Sequence, residues 1–107
     1  MRIILRNQKQ IASTIPTKKI IFIDPDKFYR KIKNYNIRVF ILLHELAHLF
    51  TPNQKEADTI ALQMYYHRGY PMRDAIHAIT EYIYSWEGIE RGWNLFNECN
   101  KLYNEEL

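Results

Sequence analysis

The feature that most constrains this chain is the segment from Ile37 to about Phe50, in which nearly every side chain is apolar. The exceptions are Arg38 and the set His44, Glu45 and His48. Dense apolar character over this length predicts a helix that is buried on most sides in the middle of a domain. Because two histidines and a glutamate buried without partners would cost several kcal/mol, we expect a specific interaction to satisfy them.

Length and composition predict one folded domain over residues 1–107. The chain is 47% apolar and 25% charged, which is typical of a globular domain and not of a disordered chain. No apolar run is long enough for a membrane span, and the N-terminus does not have the pattern of a signal peptide. The single cysteine, Cys99, cannot form an internal disulfide. We therefore expect a soluble, cytoplasmic protein with no membrane partner.

The patterning predicts an α+β fold, with a short N-terminal β-sheet followed by about four to five helices. Strands are predicted at residues 2–6 and 18–24, with a weaker candidate at 10–14. Helices are predicted at residues 25–35, 37–50 and 52–68, from Pro71 onward, and from Trp93 toward the C-terminus. Thr51 to Gln54 has the form of a capping box, and Gly69 is predicted to end its helix in a left-handed conformation.

The formal charge of +3 conceals an asymmetry between the two halves of the chain. Residues 1–55 contain eleven Lys and Arg against three acidic residues, whereas residues 56–107 contain four against nine. A basic half can indicate nucleic-acid binding, but these basic residues alternate with apolar ones and no nucleic-acid motif accompanies them. We therefore expect no nucleic-acid partner. Complementary halves instead favour head-to-tail association, so a homo-oligomer is expected.

The sequence His44-Glu45-Leu46-Ala47-His48 is the one sharp chemical motif. Residues four apart on a helix lie one above the other, so His44 and His48 can present two imidazole nitrogens to one tetrahedral Zn²⁺. Glu45 lies at the edge of that face, where its carboxylate can reach a metal-bound water without binding the metal. The motif therefore predicts a zinc cofactor with Glu45 as general base.

A catalytic zinc needs a third protein ligand, and two acidic residues just downstream are candidates. Ala57 marks the closely packed face of this helix. On a helical wheel, Glu56 and Asp58 lie about 100° to either side of it. The wheel does not choose between them.

The two linked motifs resemble the gluzincin metallopeptidases. The second motif is Glu56-Ala57-Asp58-Thr59-Ile60-Ala61-Leu62, followed by Gly69-Tyr70-Pro71. The resemblance is strongest to the HtpX and CAAX-prenyl-protease membrane families. Without a membrane span, the chain looks more like the soluble minimal members called minigluzincins. The resemblance covers residues 39–72 and implies a small zincin-like domain with an active-site helix and a glutamate helix.

The resemblance implies that His44 and His48 bind zinc, that a glutamate is the third ligand and that an aspartate supports a histidine. In the membrane families the ligand glutamate stands four residues before the aspartate, a position that Gln54, a poor zinc ligand, occupies here. We favour Glu56 as third ligand because its longer side chain tolerates more offset, with Asp58 orienting a histidine. Ligation by Asp58 itself is the alternative.

This zinc chemistry implies a zinc-dependent endopeptidase acting on a peptide or protein substrate. The resemblance to minimal gluzincins further implies latency, with concentration-dependent oligomers that are self-inhibited through the acidic C-terminal tail, residues 104–107; a frayed, solvated terminus is the alternative. The alternative function is a catalytically weak or inactive zinc-binding regulatory module. A further donor to the substrate oxygen is expected, with His77 slightly ahead of the other candidates. These are His67, Tyr65, Tyr66 and Tyr84.

Overall fold

The structure, a computed structural model, describes residues 1–82 and 86–106. It has the predicted α+β composition, with a three-stranded sheet followed by helices. The strands are β1 (Arg2–Leu5), β2 (Ala12–Ile15) and β3 (Ile20–Ile23). The α-helices are α1 (Tyr35–Ala47), α2 (Gln54–His67), α3 (Met72–Tyr82) and α4 (Trp86–Glu106).

The strand β3 is the centre of the sheet. It pairs in parallel with β1 and antiparallel with β2, which gives the order β1-β3-β2. All four of its residues are buried, as the unbroken apolar run Ile20-Ile21-Phe22-Ile23 predicts. The outer strands are more exposed, and Thr14 on β2 contacts the helical layer.

The helix predicted after β3 is shorter than its sequence indicates and takes a different form. Residues Asp26–Lys31 form a single π-helical segment. Asp24 supports its start, because its carboxylate accepts the backbone N–H groups of Asp26 and Lys27. The same carboxylate accepts the N–H of Gln8, so this side chain also ties the loop between β1 and β2 to the end of β3.

The predicted central helix is α1, which begins and ends before the predicted limits. Asn34 caps it by accepting the N–H of Asn36 at 2.8 Å. Five of its residues are buried, namely Ile37, Phe40, His44, Glu45 and Ala47. The helix ends at Ala47 because the next residues form a turn in which Phe50 points into solvent.

The helix α2 starts with a different cap from the predicted one. Asn53, not Thr51, accepts the N–H of Glu56, at 3.0 Å. At the other end Gly69 has φ +82°, which confirms the predicted left-handed residue after this helix.

The helices α3 and α4 cross very closely. A Cβ added to Gly92 would lie 2.6 Å from Thr80 Cγ2, so the absence of a side chain at Gly92 permits this crossing. The helix α4 also packs on α2, and its residues Arg91, Cys99 and Leu102 are buried. It continues to Glu106, so the tail expected to leave the last helix begins within α4, and Leu107 lies outside the described residues.

The main core lies between α1, α2, α3 and the C-terminal part of α4. Its fully buried members include Phe40, Leu62 and Tyr65. A smaller core joins the sheet to the π-helical segment through Ile21, Ile23 and Phe28. No helix among the described residues is both long enough and apolar enough to cross a membrane.

Candidate metal centre

Three side-chain acceptor atoms converge where α1 meets the start of α2. His44 Nε2 lies 3.0 Å from His48 Nε2, and each nitrogen lies close to Gln54 Oε1, at 3.0 and 2.9 Å respectively. The helix α1 positions the two imidazoles because their spacing of four residues places them on one face. The first residue of α2 supplies the amide oxygen.

The other ring nitrogens show where the imidazole hydrogens lie. His48 Nδ1 is 2.9 Å from the carbonyl oxygen of Thr51, which can only accept, so Nδ1 carries the hydrogen. His44 Nδ1 lies 2.8 Å from Asp58 Oδ1, and because a carboxylate oxygen also only accepts, the hydrogen of this ring is assigned to Nδ1. In the neutral imidazoles both Nε2 atoms therefore present lone pairs to the same point.

This convergence fits a bound metal ion. Three lone-pair atoms about 3 Å apart repel one another; Arg91 Nη2, 3.2 Å from His44 Nε2, offsets this repulsion at one of them, and a cation among the three would offset it at all of them. Donors around a tetrahedral zinc ion with bonds of 2.0–2.1 Å are about 3.3 Å apart, close to the spacing here. No cluster of three His, Cys, Asp or Glu side chains suited to a metal occurs among residues 1–82 and 86–106; the third atom of the present cluster is the amide oxygen of Gln54.

Behind His44 lies a buried ion pair. Arg91 Nε donates to Asp58 Oδ2 at 2.6 Å, and Arg91 Nη2 donates to Asp58 Oδ1 at 2.8 Å. The two residues are 5% and 2% exposed, so neither charge is solvated. Burial alone would raise the pKa of Asp58, but hydrogen bonds from Arg91 and His44 outweigh it and hold this pKa below its ordinary value. Asp58 is therefore an anion that orients the His44 ring.

Glu45 is buried beside this cluster and fixed by the sheet. The Thr14 hydroxyl on β2 donates to its carboxylate and lies 3.0 Å from its backbone oxygen. A cavity of about 310 Å³ opens at this point. Its polar lining includes Glu45, His44, Gln54 and Arg91, together with Lys9 and Gln10. Most of its other lining residues are apolar, among them Phe40, Ile41 and Ile79. A buried carboxylate beside a polar cluster in such a cavity is typical of an active site.

The structure does not bring Glu56 into this cluster. Its carboxylate accepts the Thr51 hydroxyl at 2.6 Å, and its backbone N–H is bound by the Asn53 cap. The first turn of α2 thus holds Glu56 on the outer side, while Gln54 and Asp58, one helical turn apart, face His44. Ligation by Glu56 stays a prediction, and the geometry favours Gln54.

Of the residues predicted as further donors, those that the structure describes do not lie in the cavity wall. Tyr65 is fully buried in the core, and His67 is exposed. His77 is half exposed, with Nε2 3.6 Å from Glu81 on its own helix. Tyr84 lies outside the described residues.

Three site residues were missed or discounted at the sequence level. The position of Gln54, one helical turn before Asp58, indicates a metal ligand there, but a neutral amide is a poor ligand for zinc. Thr14 and Arg91 carry no signal, because they are far along the chain from the motif and reach it only through tertiary packing.

Comparison of the chain with protein-family models, curated proteins and solved structures gave no significant match. Function is therefore inferred from the motif and from the geometry around it.

Proposed function

We propose that this chain is a zinc-dependent peptidase in which His44, His48 and Gln54 hold the metal. The observation that carries the proposal is the convergence of two Nε2 lone pairs and one amide oxygen beside the buried carboxylate of Glu45. A structural zinc site is usually closed by four protein ligands, whereas three donors leave a position for water or substrate. The cavity at this position favours catalysis over a purely structural role.

The proposed chemistry is hydrolysis of a peptide bond. Bound zinc supplies a Lewis acid, which polarises a carbonyl and lowers the pKa of water. Glu45 takes the proton from the attacking water and passes it to the nitrogen of the leaving amine. Thr14 donates to one carboxylate oxygen of Glu45, which holds the side chain in place for this transfer.

The cavity also indicates the kind of substrate. Its walls beyond the polar cluster are mainly aliphatic and aromatic, and include Phe40, Ile41 and Ile79. Such a surface accommodates an apolar side chain next to the bond that is cut. A peptide or unfolded protein segment that carries apolar residues is therefore the proposed substrate.

A comparison of two Glu→Gln variants tests this function. Hydrolysis of casein by the zinc-loaded chain is expected to be lost in Glu45→Gln and on addition of a chelator, whereas zinc is retained in Glu45→Gln because this residue transfers protons and does not bind the metal. Glu81→Gln on the outer face of α3 is the matched control and should retain full activity. Zinc binding without hydrolysis in the unsubstituted chain would favour the regulatory module instead.

A further inference from the structure

Arg91 makes a contact that its pairing with Asp58 does not explain. Its Nη2 atom carries two hydrogens, of which one is directed at Asp58 Oδ1 at 2.8 Å. The same atom lies 3.2 Å from His44 Nε2. Since His44 Nδ1 carries the imidazole hydrogen, Nε2 is the acceptor in this contact. The guanidinium group therefore donates to the lone pair that a metal ligand must offer.

A lone pair can serve only one of these partners. A metal at His44 Nε2 takes the lone pair and leaves one N–H of Arg91 without its acceptor. The guanidinium cannot move far, because the contact between Nε and Asp58 Oδ2, at 2.6 Å, holds it. Arg91 also lines the cavity together with His44 and Glu45. The released N–H thus stays next to the place where the proposed function puts the reacting carbonyl.

We propose that Arg91 competes with the metal for His44 Nε2, and that metal binding turns this Arg91 N–H into the donor for the substrate's carbonyl oxygen. The inference rests on the proposed function. A cationic donor fixed beside a developing oxyanion stabilises it strongly, because the site is shielded from water and the donor needs no reorientation. Arg91 is thereby a catalytic residue that comes from outside both sequence motifs.

Zinc affinity gives a readout that does not depend on activity. If Arg91 is a competitor, Arg91→Met should bind zinc at least about tenfold more tightly, measured against a chromophoric chelator. If Arg91 serves only to position Asp58, the same variant should bind zinc about ten- to a hundredfold more weakly. Arg73→Met, which removes an exposed arginine from α3, is the control for net charge.

A second readout tests the donor role. A phosphinic pseudodipeptide carries a tetrahedral anionic group where a peptide has its scissile bond. Its affinity for the zinc-loaded protein should fall at least about tenfold in Arg91→Met and stay unchanged in Arg73→Met. If Arg91→Met fails to fold because Asp58 is left unpaired, the comparison is made between Asp58→Asn and Asp58→Asn/Arg91→Met, which removes both buried charges.

The outcomes separate this inference from the proposed function. Tighter zinc binding together with weaker binding of the phosphinic compound supports it. Zinc affinity that is unchanged or lower in Arg91→Met, or an unchanged affinity for the phosphinic compound, overturns it and leaves the proposed function intact. Failure of the unsubstituted chain to bind zinc overturns both.

Discussion

The identity of the third donor decides how strongly the proposed site can hold a metal. Two neutral imidazoles and one neutral amide give a divalent cation no charge compensation, and Arg91 already pairs with Asp58, so Glu45 is the nearby anion that favours the cation. A carboxylate in place of the Gln54 amide would add a charge at nearly the same position. Glu56, which already has the charge, is held by Thr51 on the outer side of α2.

This arrangement predicts different results for two substitutions in the same helical turn. Gln54→Glu should tighten zinc binding by about tenfold or more, because it adds a negative charge at an existing donor position. Glu56→Gln should leave zinc affinity nearly unchanged, since its carboxylate lies outside the cluster. Competition with a chelator measures both. A large loss of affinity in Glu56→Gln, with no change in Gln54→Glu, would return the ligand role to Glu56.

At the residue scale, the sequence predicts those contacts of the site that depend only on the spacing of residues along one helix. The interval of four between His44 and His48 is enough to bring their rings together on one helix face, and the structure does so. The choice between Gln54 and Glu56 depends on how α2 starts. That start is set by the Asn53 cap and by the hydrogen bond between Thr51 and Glu56, which residue chemistry alone does not indicate.

At the scale of elements, apolar periodicity and turn residues predict most of the fold. The buried run of β3, the apolar α1 and the left-handed Gly69 all carry local signals, and each is found. The start of α4 has no such local sequence signal, because Gly88 and Gly92 lower the helix propensity of the region where it begins. Its position depends on contact with α3, and the site depends on that contact, because Arg91 lies next to Gly92.

The crossing of α3 and α4 yields a prediction about stability. Gly92→Ala would place a methyl group 2.6 Å from Thr80 Cγ2, so the Thr80 side chain or the packing of the two helices must shift. We expect the free energy of unfolding to fall by about 1–3 kcal/mol, the usual cost of overpacking. Chemical denaturation measures this change. Thr80→Ser removes the opposing methyl group, and the double variant should recover most of the loss. An equally destabilised double variant would show that this contact is not the cause.

At the scale of the whole molecule, the proposed site joins the separate layers of the fold. The helix α1 supplies the two histidines and Glu45, α2 supplies Gln54 and Asp58, α4 supplies Arg91, and the sheet supplies Thr14. Each group is held by an element other than its own, and the motif alone indicates only the contribution of α1. Because a ligand that binds only the folded state stabilises it, zinc binding is expected to raise the melting temperature of the whole domain.

The response of the folded state to acid provides a further prediction. The backbone N–H of Gln8 is the main reason that the pKa of Asp24 lies below 3.8, its ordinary value. A depressed pKa contributes stability that is present above about pH 4 and is lost as the pH falls through the folded-state value. As the pH falls below about 4, the melting temperature of Asp24→Asn should therefore decrease less than that of the unsubstituted chain. The exposed Asp26→Asn is the control, and equal curves for both variants would contradict the assignment.

The zinc content of the purified chain tests the proposed metal site directly, measured by elemental analysis after dialysis against buffer that contains a small excess of zinc. We expect one zinc ion per chain in the unsubstituted protein and in Glu45→Gln, and little or none in His44→Ala or His48→Ala, because two of the three proposed donors are imidazoles. Absence of zinc from the unsubstituted chain, or full occupancy in either histidine variant, would contradict it.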